Sequence, residues 1–240
     1  MALLNVNFYS ESLMRSVCFN AIIPVDKMLY PVKSVQGERK VFKTLYLLHG
    51  VTMNHNDWLY ATRILNWSEE KGLAVIMPSG ENKFYLNNTS GDNHEDFLAV
   101  ELIDVTRRLF PLSDKREDTF IAGLSMGGYG AVRTGLKYYN TFGYIAGLSS
   151  ALRLSAPENI VSGSDKDPRV LVNTILESNQ KMPEMFISCG TEDGLIQCNR
   201  DLHEFLVSKK VEHVYIEEPG KHDWDFWDRH IYKVLEWLPV

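Results

Sequence analysis

TFIAGLSMGGYGAVRTGL, residues 119–136, decides how the rest of the chain is read. Its first six residues are an apolar run with strand character. Its last eleven, from Met126, have helical spacing, and Ser125 stands at the junction. Glycine at this density weakens a helix and costs backbone entropy, so the missing side chains must serve a purpose. The pattern Gly123-Leu124-Ser125-Met126-Gly127 supplies one: it is Gly-x-Ser-x-Gly, the sequence form of a nucleophile elbow. A strand that turns at once into a helix thrusts the serine hydroxyl above the sheet edge and crowds the residues two before and two after it. The helix N-terminus then presents its positive end to developing negative charge. The alternative, a plain serine-glycine loop, does not account for a strand on one side and a helix on the other.

The surrounding runs extend the same logic. SVCFNAIIP (16–24) alternates like a half-buried antiparallel strand. TLYLLHG (44–50), LAVIMPSG (73–80), YIAGLSS (144–150), MFISCG (185–190) and VYIEEPG (214–220) are short apolar runs ending in Gly, Pro or Ser, as expected of strands buried on both faces. Helical patterns fall between them at 95–110, 126–139, 199–210 and 224–238. The alternation predicts an α/β fold, a mostly parallel central sheet with helices on both faces, in a single domain over 1–240. The stretch 160–183, with SGSDKDP in it, is the least regular and is read as a surface excursion: either a long connection or a small cap. Ligands of such sheets gather beyond the carboxyl ends of the strands.

A serine nucleophile needs a base, and the base an orienting acid; on this architecture they follow in the order serine, acid, histidine. His222, in PGKHDW after the last strand, has the place of the base. His203, His213 and His230 fall in or beside helices, and His49 ends a strand before Gly50, where bonding to loop backbone is the expected role. Asp193, in the acidic turn after MFISCG, is the chosen acid, with Glu192 and Asp223 as neighbours of the same chemistry. The amide of Met126, just after the nucleophile, and that of Val51, after the His49-Gly50 turn, are the expected oxyanion donors. Trp58, Tyr85 and Trp224 lie near strand ends and are candidates for the walls of an acyl or alcohol pocket, with core packing as the alternative.

Composition excludes several other classes. The 240 residues are 45% hydrophobic and 23% charged, with a formal net charge of -6 and no basic block, which argues against nucleic acid or an anionic membrane as partner. Cys18, Cys189 and Cys198 form no CxxC pair, so neither a disulfide framework nor a zinc site is expected, and no metal or cofactor is called for. No apolar stretch is long enough to span a bilayer and the first residues lack a leader pattern. The expectation is a cytoplasmic protein acting on a small ester, with room left for a homo-oligomer.

Taken together, YLLHGVTMNHNDW, IMPSGENKFYLNN, EDFLAVELIDVTRRLFP, TFIAGLSMGGYGA, SCGTEDGL and GKHDW resemble the esterase D / S-formylglutathione hydrolase-like branch of the α/β-hydrolases, and within it the bacterial tributyrin esterases. The resemblance covers roughly residues 40–235. It implies an α/β-hydrolase fold with little or no cap and a metal-free carboxylesterase for short acyl chains, such as acetyl, butyryl, sugar or feruloyl esters. It also implies the triad Ser125, Asp193 and His222 with the oxyanion amides of Val51 and Met126. Formylglutathione hydrolases carry a cysteine-containing stretch where VTMNHNDW stands here, which weighs against a glutathione thioester. A thioesterase or acyltransferase on the same site, and a non-catalytic binding protein on the same fold, are the competing readings.

Overall fold

In a computed structural model, residues 1–25, 41–152 and 163–240 are described. They form one eight-stranded sheet in the order β1-β2-β4-β3-β5-β6-β7-β8. The strands are β1 Ala2–Ser10, β2 Arg15–Ile23, β3 Thr44–Leu48, β4 Ala74–Pro78, β5 Thr119–Leu124, β6 Tyr144–Leu148, β7 Glu184–Gly190 and β8 Val214–Glu218. β1 and β2 are an antiparallel hairpin joined antiparallel to β4; β4, β3 and β5 to β8 run parallel. The helices are α1 Asp57–Ala61, α2 Ile64–Lys71, α3 His94–Asp96, α4 Leu102–Leu109, α5 Met126–Lys137, α6 Pro168–Glu177, α7 Ile196–Ser208 and α8 Trp224–Trp237. A π turn at Phe97–Glu101 joins α3 to α4, so the helix expected over 95–110 is one rod with a widened turn.

The apolar runs read as strands are buried on both faces, and the alternation of their side chains divides the core in two. Tyr46, Leu48 and Ile121 face a layer with Leu102, Val132, Val172 and Leu206 from α4 to α7. Leu45, Leu47, Phe120 and Ala122 face the opposite layer, with Trp58, Ile64, Phe226 and Ile231 from α1, α2 and α8. Helices therefore cover both sides, in the α/β-hydrolase arrangement. β3 sits between β4 and β5, so the chain leaves it first toward one edge and then toward the other. The crevice at that reversal opens beyond the ends of β3 and β5.

Two elements differ from expectation. β1 is absent from the apolar-run reading because it alternates instead, its odd positions from Leu3 to Tyr9 exposed. The excursion at 160–183 contains α6, capped by Asp167, whose side chain accepts from the Arg169 amide. Leu171, Val172 and Ile175 of α6 join the sheet core, so the helix is part of the layer and not a cap; residues 160–162 of that stretch lie outside the described ones.

Beside α5 lies a buried ion network. Arg133 is 1% exposed, with Nη1 2.6 Å from Glu95 Oε2 and Nη2 3.1 Å from Asp165 Oδ2. Lys137 Nζ lies 2.7 Å from Glu95 Oε1. Burial pushes the Glu95 carboxyl up, but Arg133 and Lys137 outweigh it and hold it below the usual carboxylate range. Breaking a buried pair strands the partner charge, so Glu95→Gln should lower the unfolding free energy by about 3–5 kcal/mol near neutral pH. A group depressed in the fold stabilises above its unfolded value and loses that contribution as pH falls through the folded one. Urea melts of the two proteins should therefore differ most near neutral pH and draw together only in acid below the ordinary carboxylate range.

Candidate active site

Ser125 ends β5 and precedes α5 with φ 53° and ψ -116°, a backbone conformation disfavoured for any residue with a Cβ. The glycines on either side explain how the chain tolerates it. A Cβ on Gly123 would lie 2.3 Å from the Gly127 carbonyl oxygen, and one on Gly127 would lie 2.5 Å from the carbonyl oxygens of both Leu48 and His49. Both are collisions with backbone, which cannot swing away. The elbow thus wedges between its own helix and the end of β3.

His222, in the turn between β8 and α8, reaches the serine. Its Nε2 is 3.0 Å from Ser125 Oγ, and its Nδ1 is 2.8 Å from Asp193 Oδ2. Asp193 sits in the turn after β7, is 3% exposed, and its Oδ1 accepts from the Leu195 amide at 2.8 Å. Burial pushes the Asp193 carboxyl up; the bonds from His222 and Leu195 more than reverse this and hold it below its ordinary value. The chosen acid and its two neighbours are placed differently. Asp223 caps α8, accepting from the Phe226 amide at 3.1 Å, and Glu192 is exposed. Only Asp193 meets the ring.

The end of β3 abuts the same serine: a Cβ on Gly50 would stand 3.4 Å from Ser125 Cβ. Three successive carbonyls there are fixed by side chains. Trp58 Nε1 donates to Leu48 O at 3.0 Å, the Tyr85 hydroxyl donates to His49 O at 3.0 Å, and His49 Nδ1 lies 2.7 Å from Gly50 O. The other nitrogen of His49 accepts from the Gly80 amide at 2.8 Å, so Nδ1 carries the proton and the ring is neutral; burial lowers its pKa in the same sense. His49 has the backbone-bonding role expected of it. Trp58 and Tyr85, each 1% exposed, present almost no surface to a substrate; their donors hold the turn that precedes Val51, which is itself 39% exposed, whereas Met126 is buried at the start of α5. Of the two readings open for them, their burial favours core packing over pocket walls. Trp224 is half-buried and edges onto both Trp58 and Trp227, with ring centroids 5.3 Å and 5.2 Å apart. Trp227, which the sequence reading passed over, stands edge-on to His222 at 4.9 Å; its spacing of three from Trp224 at the start of a helix was the available signal. Beside Trp224 a groove of about 460 Å³ is lined by Tyr60, Arg63, Asp225, Asp228 and Arg229 among others.

The remaining histidines lie elsewhere. His203 Nδ1 and His213 Nε2 lie 2.8 Å apart on half-buried rings, and His230 is buried against Phe226. Among the described residues, Glu81, Asp92 and His94 are the one group with metal-ligand chemistry and spacing. Arg15 already donates to both carboxylates and Lys83 lies 3.5 Å from Asp92, so their charge is matched without an ion.

Comparisons with known proteins give the family and the fold. The Esterase family model matches residues 26–238. An acetyl esterase of Caldicellulosiruptor saccharolyticus is 41% identical over 264 residues, covering 99% of this chain and 98% of that protein. FphF, a fluorophosphonate-binding serine hydrolase of Staphylococcus aureus solved with substrate bound, superposes with a TM-score of 0.91 at 30% identity over 99% of this chain and 98% of that one. The S-formylglutathione hydrolase FrmB of the same organism, solved as the apoenzyme, gives 0.89 at 30% over 99% and 98%.

Proposed function

The chain belongs to the Esterase family and is a hydrolase of carboxylic esters, and on that premise we propose that Ser125, His222 and Asp193 carry out the hydrolysis of short-chain acyl esters through an acyl-enzyme. The observation that carries the assignment is the unbroken relay from Ser125 Oγ through both nitrogens of His222 to Asp193.

Ser125 Oγ attacks the ester carbonyl as His222 Nε2 takes its proton. Asp193, ionised, holds Nδ1–H and stabilises the imidazolium. The carbonyl electron pair passes to the oxygen, which the amides of Val51 and Met126 receive; a lost donor of this kind typically costs about 10²–10³ in rate. Collapse of the tetrahedral intermediate breaks the C–O bond, and His222 gives its proton to the departing alcohol. Water, deprotonated by the same nitrogen, then frees the carboxylic acid and restores Ser125. The His49, Trp58 and Tyr85 bonds to consecutive carbonyls keep the Val51 turn in place before substrate arrives, so no reorganisation is needed at the moment of attack.

Among the described residues no helix lies across the mouth of the crevice as a lid, α6 being part of the sheet layer, which favours small acyl groups over long lipids. The polar groove beside Trp224 suits a hydroxylated alcohol portion. A fluorophosphonate probe should label the protein at Ser125, located by peptide mass. Nitrophenyl esters should be turned over fastest at two to four acyl carbons. Absence of label, or a maximum at long chains, contradicts the reading. A thioesterase at the same site is favoured by the likeness to FrmB; S-formylglutathione turned over faster than an acetyl ester would decide for it. All three cysteines are thiols outside any disulfide, and among the described residues no helix is long and apolar enough to cross a membrane. We place the enzyme in the cytoplasm as a single α/β-hydrolase domain.

A further inference from the structure

β1 closes one edge of the sheet: β2 pairs with its inner side along all nine residues, and among the described residues nothing pairs with its outer side. Such an edge is an open template, which proteins ordinarily blunt with charges, proline or a bulge. β1 has none of these: ALLNVNFYS carries no charge and no proline, and its register with β2 runs unbroken from Ala2 to Ser10. Its side chains are moreover symmetric about Val6. Leu3-Leu4-Asn5 precedes it and Asn7-Phe8-Tyr9 follows, so that apolar, apolar and amide are mirrored by amide, aromatic and aromatic. Leu3 and Tyr9 are 49% and 62% exposed.

We propose that this edge is the interface of a homodimer, two copies of β1 pairing antiparallel across a two-fold axis at Val6. Antiparallel pairing about that centre puts Leu3 opposite the second copy's Tyr9, Leu4 opposite Phe8, Asn5 opposite Asn7 and Val6 opposite itself. Every position meets one of its own chemical kind, on the face it already occupies, and the two sheets become one of sixteen strands. A self-complementary patch is what a two-fold interface requires. The strand alone is about 30 Å long. A groove of about 510 Å³ beside it is of mixed character: Phe8, Val105 and the 54%-exposed Leu109 line it together with Glu101, Asp104 and Arg108, so the second copy's Leu4, Val6 and Phe8 would meet an apolar strip with charges at its margin. The active site lies in the interior of the sheet, away from this edge, and stays open.

The register makes the test specific. Opposed residues on an antiparallel pair stand about 4.5–5.5 Å apart at Cα, within disulfide range. Val6→Cys should therefore oxidise in air to a covalent dimer, whereas Leu3→Cys, facing Tyr9 and not itself, should not. In sedimentation velocity the wild type should run as a dimer at micromolar concentration. Leu3→Lys/Tyr9→Lys sets lysine opposite lysine at both ends and should weaken association at least about tenfold with esterase activity kept. Mixing it with Leu3→Glu/Tyr9→Glu should restore a dimer of the two variants. A monomeric wild type, equal cross-linking at positions 3 and 6, or a double-lysine variant that dimerises as the wild type does would each overturn the proposal.

Discussion

Ser125→Ala should cut kcat on nitrophenyl acetate by roughly 10⁵–10⁶-fold while leaving the melting temperature within a few degrees of wild type. The size follows from what the substitution removes. Ser125 Oγ is the atom at 3.0 Å from His222 Nε2, and no other hydroxyl is held there among the described hydrogen bonds. The fold should survive because alanine brings the same Cβ to φ 53° that serine does, so the strain of the elbow is unchanged and Gly123 and Gly127 still absorb it. What remains is the proposed oxyanion turn and substrate binding, worth about 10³–10⁴ over water in comparable sites. His222→Ala should cost nearly as much, and the double variant little more than either single one, because hydroxyl and base act as one unit. Steady-state kinetics and thermal melts read both quantities. A Ser125→Ala enzyme keeping a hundredth of wild-type kcat would remove the serine from the chemistry.

The elbow was legible because its constraint is local. Collisions of 2.3–2.5 Å between a hypothetical Cβ and nearby backbone leave glycine as the residue for positions 123 and 127, and the apolar run and helix beside them are written in the same eighteen residues. The parallel strands were legible for a related reason: burial on both faces forces continuous apolar runs. β1 shows the limit of that criterion. With one face toward solvent it alternates, Asn5 and Asn7 standing among the exposed positions, and period two was the signal to use. The choice of Asp193 over Glu192 and Asp223 rested on its place in the turn after MFISCG and not on composition, since all three offer a carboxylate near the right turns. Backbone placement distinguishes them: one caps α8, another is exposed and the third is buried against the imidazole. For Trp58 and Tyr85 the sequence left pocket wall and core packing open. Their polar tips meet main-chain carbonyls of β3 and its turn, and an aromatic residue near a strand end gives no hint in sequence of which way its donor points.

Asp193→Asn tests the relay at its far end, and kcat should fall by about 10⁴-fold with KM little changed. The carboxylate is acceptor-only toward His222 Nδ1, which fixes the proton there and leaves Nε2 free to accept from Ser125. An amide can turn an N–H toward Nδ1 instead. The ring then carries its proton on Nε2, facing a hydroxyl it can no longer deprotonate. Because the bonds from His222 and Leu195 hold Asp193 below the ordinary carboxylate value, its stabilisation of the fold is complete above that value and is lost only as acid carries the pH through the lower, folded one. Protonation of Asp193 therefore cannot explain any loss of activity between pH 5 and 8, and the variant's defect should persist unchanged across that range. Asp223→Ala supplies the contrast. It removes the cap on the Phe226 amide, which costs about 1 kcal/mol of stability, yet kcat should stay within a few-fold of wild type. If the two aspartates exchanged these effects, the carboxylate beside the histidine in sequence, and not the one bonded to its ring, would be orienting the base.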